Sequence, residues 1–119
     1  MLILIAEDDE LILKTIEHKL TKEGFEVLVT RNGKEAIEIL QNKEVDLIIS
    51  DIMMPFASGT EILAALKQFN KNIPVIMLSS MGQEDVVLNA FNLGAADFMV
   101  KPFSPNELLL RIKRFAINN

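Results

Sequence analysis

The feature that most constrains the fold is a fivefold alternation between short apolar runs and longer segments of helical periodicity. The apolar runs predict strands at residues 2–6, 25–29, 46–50, 74–78 and 96–100. The remaining segments predict helices at residues 9–23, 34–42, 59–69, 84–92 and 105–117. This alternation is typical of a parallel sheet wrapped by crossover helices, so we expect an α/β fold with five strands and five helices.

The strands differ in how their apolar residues are arranged. The first, third and fourth runs are continuously apolar, which favours strands buried on both faces, whereas the second alternates and is typical of an edge strand. Gly24 and Gly94 follow predicted helices, where glycine adopts the left-handed cap conformation at least cost. Ser104 and Pro105 are typical of an N-cap followed by the first residue of a helix.

Length, charge and composition narrow the possible functions. The 119 residues, half of them hydrophobic, predict one globular domain. The lack of cysteine excludes disulfides, thiolate catalysis and cysteine zinc sites. A net charge of −5 argues against direct binding to nucleic acid.

No apolar run approaches the length of a membrane span and no signal peptide is recognisable, so we expect a cytoplasmic protein without membrane contact.

Polar and charged residues follow four of the five predicted strands. The acidic run 7–9 follows the first strand, Asp51 the third, the serines at 79–80 the fourth, and Lys101 the fifth. Ligands of parallel α/β sheets bind at the carboxyl ends of the strands. Clustered carboxylates repel one another unless a hard cation lies among them, and Mg²⁺ accepts carboxylates, water and phosphate oxygens. The sequence therefore predicts phosphoryl chemistry, with one carboxylate attacking while the lysine and a hydroxyl hold phosphoryl oxygens.

Four segments contain the residues that follow the strands: ILIAEDDE at 3–10, DLIISDIMMP at 46–55, PVIMLS at 74–79 and GAADFMVKPF at 94–103. They resemble the signature segments of the response regulator receiver family, also called CheY-like. The resemblance runs nearly end to end, so residues 1–119 are predicted to form one receiver domain. It implies a doubly wound, flavodoxin-like sheet with strand order 2-1-3-4-5.

The resemblance also implies a phospho-acceptor and a metal site. Asp51 matches the residue that takes the phosphoryl group. Glu7 and Asp8 match the acidic pair, with Asp8 as the more direct Mg²⁺ ligand, and Asp9 is either a further site residue or a first-turn acid of the helix. Asp51 itself and the backbone carbonyl of Met53 would complete the Mg²⁺ ligands.

Further positions match residues that respond to phosphorylation in the family. Ser79 matches the switch hydroxyl, although Ser80 beside it is a second candidate. Lys101 matches the lysine that pairs with phosphate, and Phe98 the aromatic residue that turns inward on activation. Pro102 matches a proline whose peptide bond is cis.

The function implied is that of a two-component signalling receiver. It would take a phosphoryl group from the phosphohistidine of a sensor histidine kinase or phosphotransfer protein, catalysing only its own phosphorylation and dephosphorylation, and so would not be an enzyme acting on a separate substrate. One alternative is a receiver-like interaction module that is never phosphorylated. Another is a flavodoxin-like cofactor binder, but the acidic run 7–9 stands where a flavin phosphate needs glycine, serine and threonine donors.

The last expectation concerns an output surface. Helical periodicity directs Leu88 and Phe91 away from the core on the fourth helix, and Leu110 and Ile117 on the fifth. Several exposed apolar residues on neighbouring helices indicate a partner site.

The segment KPFSPNELL at 101–109 resembles the winged-helix transcription factor subfamily, OmpR/PhoB-like, whose receivers pair through the fourth helix, fifth strand and fifth helix. Asp97 and Arg111 match positions of its intermolecular salt bridges, while Val87 and Ala96 replace charged partners. We therefore expect transcription regulation through a homodimer, with any DNA bound by another domain.

Overall fold

Strands and helices alternate along the whole described chain. A computed structural model describes residues 1–116. Its elements are β1 Leu2–Ala6, α1 Glu10–Lys22, β2 Glu26–Thr30, α2 Gly33–Asn42, β3 Leu47–Asp51, α3 Gly59–Gln68, β4 Val75–Ser79, α4 Glu84–Asn92, β5 Asp97–Val100 and α5 Pro105–Ala116.

The five strands form one parallel sheet in the order β2-β1-β3-β4-β5. The predicted order and doubly wound topology are confirmed. From β1 the chain first adds β2 at one edge of the sheet. It then returns past β1 and adds β3, β4 and β5 on the other side, so the direction of winding reverses between β1 and β3. In open α/β sheets, ligands bind at the carboxyl ends of the strands on either side of such a reversal.

The helices cover both faces of the sheet. One apolar layer joins α1 and α5 to the sheet through Leu13, Ile16, Leu108 and Ile112, and the other joins α2, α3 and α4 to it. Successive residues of β1, β3 and β4 contribute alternately to the two layers, which explains why these strands are apolar throughout. The less buried β2 lies at one edge, as predicted.

Several predicted strand limits were wrong by one residue. β2, β3 and β4 each begin and end one residue later than predicted, and β5 begins one residue later. Thr30, Asp51 and Ser79 look like loop residues in the sequence because they are polar. Their backbones nevertheless align with Ala6, Leu78 and Val100 of neighbouring strands, so pairing extends each strand to include them. The predicted final residue of α5, Ile117, lies outside the described residues.

The helix caps follow the sequence signals. Gly24 and Gly94 have φ of 92° and 112°, the left-handed conformation expected after α1 and α4. The Ser104 hydroxyl oxygen accepts a hydrogen bond from the Asn106 amide at 3.2 Å, as an N-cap of α5 should. Among residues 1–116, no helix is both long and apolar enough to cross a membrane.

Candidate functional site

The charged residues singled out in the sequence meet at the carboxyl edge of the sheet. Glu7 directly follows β1, Asp51 ends β3, and Lys101 directly follows β5. The Glu7 amide donates to the Thr30 carbonyl at 3.1 Å, and the Ile52 amide donates to the Leu78 carbonyl at 3.0 Å. Strand pairing thus extends just past β1 and β3 and fixes the backbone on which the two carboxylates are carried.

Lys101 connects two of these carboxylates. Its Nζ lies 2.7 Å from Asp51 Oδ2 and 2.7 Å from Glu7 Oε1, and its side chain is mostly buried. Burial of the ammonium opposes ionisation, but the bonds to Asp51 and Glu7 outweigh it and raise the pKa of Lys101. Lys101 is therefore a fixed cation beside Asp51 at neutral pH.

Glu7 is the least satisfied group of the cluster. It is fully buried, and its Oε2 accepts a hydrogen bond from the Asp9 amide at 3.1 Å. Its Oε1 has the ion-pair contact with Lys101 but no well-directed hydrogen bond. Burial raises the pKa of Glu7, as does the nearby Asp51 carboxylate, while Lys101 and the Asp9 amide act in the opposite direction. A buried carboxylate with incomplete bonding is unfavourable unless another cation approaches it.

The carboxylates of Glu7, Asp8 and Asp51 fit a divalent cation. One oxygen from each lies within 4.8 Å of the others, with Glu7 and Asp51 buried and Asp8 exposed. The three carboxylates outnumber the one ammonium of Lys101. A donor set made only of oxygens suits Mg²⁺, which retains several waters and therefore needs a site open on one side. The exposed side at Asp8 provides that opening, and the incompletely bonded Glu7 Oε1 is a second sign of a missing positive charge.

Met53 lies beside the Asp51 carboxylate. Its amide donates to Asp51 Oδ1 at 3.3 Å, so both oxygens of Asp51 have a donor from the chain. The contact places the Met53 backbone next to the acidic cluster, while the use of its carbonyl as a metal ligand stays a prediction.

The two serines after β4 have different surroundings. Ser79 is buried, its Oγ accepts a hydrogen bond from the Met81 amide at 3.0 Å, and its carbonyl accepts one from the Lys101 amide at 2.8 Å. Ser80 is exposed. Ser79 is thus held beside Lys101 by its backbone, and its assignment as the switch hydroxyl stays a prediction.

Other residues matched by resemblance lie near this edge. Phe98 is buried in the layer beneath α2, α3 and α4, so its ring is inward. The Lys101–Pro102 peptide bond is cis, as predicted. Asp9 is the N-cap of α1, and its carboxylate accepts a hydrogen bond from the Ile12 amide at 3.1 Å. The first-turn alternative for Asp9 is therefore the one that the structure supports.

The expected output surface is exposed, but its charged pair is formed within the chain. Leu88, Phe91 and Leu110 are 53%, 43% and 68% exposed. Asp97 is mostly buried, and its Oδ1 lies 2.8 Å from Arg111. Within the single chain Asp97 and Arg111 bind each other, and the expectation that they serve intermolecular salt bridges stays a prediction.

Sequence analysis missed the other members of this charged group. Arg114 lies 3.1 Å from Asp97 Oδ2, and Arg111 also bonds Glu107 at 3.0 Å. The i, i+4 spacing of Glu107 and Arg111 could have indicated their pair. The Arg114 contact depends on how α5 packs beside β5, and no local pattern indicates it.

Comparisons with known proteins agree with the geometry. The family model described as the response regulator receiver domain matches residues 3–113. The response regulator SaeR of Staphylococcus aureus is 41% identical over 110 residues, covering 92% of this chain and 48% of the relative. The chain thus spans about half the length of the curated relatives it matches.

Solved structures give the same result. The receiver domain of the Francisella response regulator 1452 superposes with a TM-score of 0.91 at 33% identity, covering 96% of this chain and 94% of that one. A receiver domain described as BeF3-activated, DrrB, superposes with a TM-score of 0.88 at 33% identity, covering 97% and 96%.

Proposed function

The chain belongs to the response regulator receiver family of two-component systems, and from that premise we propose that it accepts a phosphoryl group on Asp51 in a Mg²⁺-dependent reaction. The donor in this proposal is the phosphohistidine of a sensor histidine kinase or phosphotransfer protein. The observation that carries the proposal is the buried Lys101, 2.7 Å from both Asp51 and Glu7, at the edge where Asp8 adds a third carboxylate.

Each side chain has a role in the proposed transfer. A carboxylate oxygen of Asp51 attacks phosphorus, the bond from phosphorus to the donor nitrogen breaks, and the imidazole leaves with the electron pair. Lys101 and the Ser79 hydroxyl bind phosphoryl oxygens. The carboxylates of Glu7, Asp8 and Asp51, with the Met53 carbonyl, would hold the metal. Bound Mg²⁺ supplies positive charge that neutralises the carboxylates and the phosphoryl oxygens. The protein acts catalytically only on itself, including the later hydrolysis at Asp51.

Labelling with a small phosphodonor tests the proposal without requiring the partner kinase. We expect acetyl phosphate to label the protein in Mg²⁺ but not in chelator, and Asp51→Asn to abolish labelling because it removes the nucleophile. Asp46→Asn is the matched control, since Asp46 is exposed and directly precedes the other end of the same strand. Labelling of Asp51→Asn at the parent rate would refute the assignment. A folded parent protein that takes no label would favour an interaction module that is never phosphorylated.

The α4, β5 and α5 surface is the proposed output, through a homodimer formed on activation. Leu88, Phe91 and Leu110 supply exposed apolar area for the contact. The curated relatives are about twice as long as this chain, and in this proposal the additional length is a further domain that regulates transcription. The net charge of −5 argues against DNA binding by this domain, so in this proposal the further domain binds any DNA.

Light scattering with and without beryllofluoride tests the dimer. We expect the mass to double on activation and Leu110→Glu to prevent the doubling, because it places a charge in an apolar contact. An activated protein that stays monomeric at high concentration would remove the proposed output surface.

A further inference from the structure

The loop between β3 and α3 begins directly after Asp51 and is anchored at three points. The Ile52 amide donates to the Leu78 carbonyl at 3.0 Å, and the Gly59 amide donates to the Ile52 carbonyl at 2.9 Å, which closes the base of the loop. The third anchor is distant in sequence: the Gly33 amide, at the start of α2, donates to the Ala57 carbonyl at 3.1 Å. Residues 53–56 lie between the base of the loop and this outer anchor.

The segment between the anchors is strained. The Ala57 amide donates to the Pro55 carbonyl at 2.9 Å, and the residue between them, Phe56, has φ of 70°. A hydrogen bond between residues i and i+2 with positive φ at the centre is a γ-turn of the rare, strained kind. Phe56 is also 83% exposed, so its side chain does little to hold the turn. A strained turn persists only where its surroundings determine it, which gives the outer anchor its importance.

Gly33 makes the outer anchor possible because it has no side chain. A Cβ at Gly33 would lie 2.1 Å from the Ala57 carbonyl oxygen and 2.7 Å from the Ala57 carbonyl carbon. Non-bonded heavy atoms pack at roughly 3.5 Å, so the loop or the helix would have to move by about 1 Å. Both Gly33 and Ala57 are buried, and the nearest atoms belong to backbone, so no flexible side chain can absorb the movement.

We propose that Gly33 is a positioning residue for the metal-binding loop: its contact with Ala57 holds the Met53 backbone beside Asp51. The Met53 amide donates to Asp51 Oδ1, so a displacement of the loop changes both the acceptor carboxylate and the Met53 carbonyl. The inference rests on the proposed function, in which that carbonyl is a Mg²⁺ ligand, and it adds the start of α2 to the groups that determine metal affinity.

The first test measures Mg²⁺ binding by isothermal titration, since the chain has no tryptophan or tyrosine to report binding by fluorescence. We expect Gly33→Ala to weaken Mg²⁺ binding by about tenfold, the lower end of what loss of a supporting group costs a metal site. Gly24→Ala is the matched control, because its positive φ makes the substitution strained while nothing lies within 4 Å of the added Cβ. It should lower stability and leave Mg²⁺ affinity unchanged.

Binding of Mg²⁺ by folded Gly33→Ala at the parent affinity would overturn the inference while leaving the proposed function intact. Equal weakening in Gly24→Ala would also overturn it, because the effect would then reflect general destabilisation. A folded parent protein that binds no Mg²⁺ would overturn both the inference and the proposed function.

A second measurement uses the parent protein and holds even if Gly33→Ala does not fold. Coupling is reciprocal, so Mg²⁺ must strengthen the contact that helps to bind it. We expect Mg²⁺ to slow hydrogen exchange of the Gly33 amide more than that of the Glu35 amide, which donates to Asn32 at 2.9 Å within the same helix turn. Equal slowing of the two amides would contradict the proposed role of Gly33.

Discussion

Two charged clusters at opposite ends of β5 differ in how completely their charges are matched. At one end Lys101 lies between two carboxylates, those of Glu7 and Asp51. At the other, Asp97 lies between two guanidinium groups, those of Arg111 and Arg114.

The Asp97 cluster has its bonds in place. Asp97 Oδ1 also accepts a hydrogen bond from the Phe98 amide at 2.8 Å. The Glu107 carboxylate pairs with Arg111, so the two guanidinium groups of this cluster are matched by two carboxylates. In the Lys101 cluster, Asp8 adds a third negative charge to the two that already face one ammonium. In addition, Glu7 Oε1 has no well-directed hydrogen bond. The comparison indicates that the Asp97 cluster stabilises the fold of the isolated chain, whereas the Lys101 cluster is completed only by a ligand.

The largest effect is expected from Lys101→Met, which removes the ammonium bound to Glu7 and Asp51 while keeping much of the apolar stem. Loss of one partner from a buried ion pair costs about 3 kcal/mol, so the metal-free protein should be strongly destabilised. Mg²⁺ should stabilise this variant more than the parent, because the ion no longer competes with the ammonium for Asp51. Urea unfolding with Mg²⁺ and with chelator measures both effects. An equal gain from Mg²⁺ in the two proteins would contradict competition at the site.

Asp97→Ala should break the other cluster with a smaller loss. We expect a decrease of about 2 kcal/mol in the free energy of unfolding, because the mostly buried carboxylate is lost but the partly exposed arginines remain accessible to water. Mg²⁺ should not restore the loss. Asp85→Ala, at an exposed residue in the first turn of α4, is the control and should change stability by less than about 0.5 kcal/mol. Rescue of Asp97→Ala by Mg²⁺ would remove the distinction between the clusters.

Asp8→Ala should have the smallest effect, and with the opposite sign. Removing one of three clustered carboxylates relieves repulsion, so stability in chelator should rise by about 0.5 kcal/mol, limited by the exposure of Asp8. Mg²⁺ binding should weaken at the same time. A variant that loses stability in chelator would show that Asp8 serves the fold and not the metal.

The sequence predicted the site better than it predicted the contacts that hold it. The order of the motifs placed Glu7, Asp51 and Lys101 at one edge, because the carboxyl ends of parallel strands meet there. The contact of Gly33 with Ala57 was not predictable, since it joins residues 24 positions apart through backbone atoms that carry no sequence signal. The intrachain pairing of Asp97 was not predicted either, because resemblance indicates which positions are charged but not that Arg111 and Arg114 of the same chain bind Asp97.

The central claim, that the acidic cluster is incomplete without a divalent cation, is tested most directly by thermal unfolding of the parent protein in chelator and in increasing Mg²⁺. At about ten times the dissociation constant, binding to the folded state alone contributes about 1.4 kcal/mol and raises the midpoint by about 5 °C. We expect that rise in the parent and little of it in Asp51→Asn, with NaCl at equal ionic strength as the control. An unchanged midpoint in the parent, or an equal rise in Asp51→Asn, would contradict the claim.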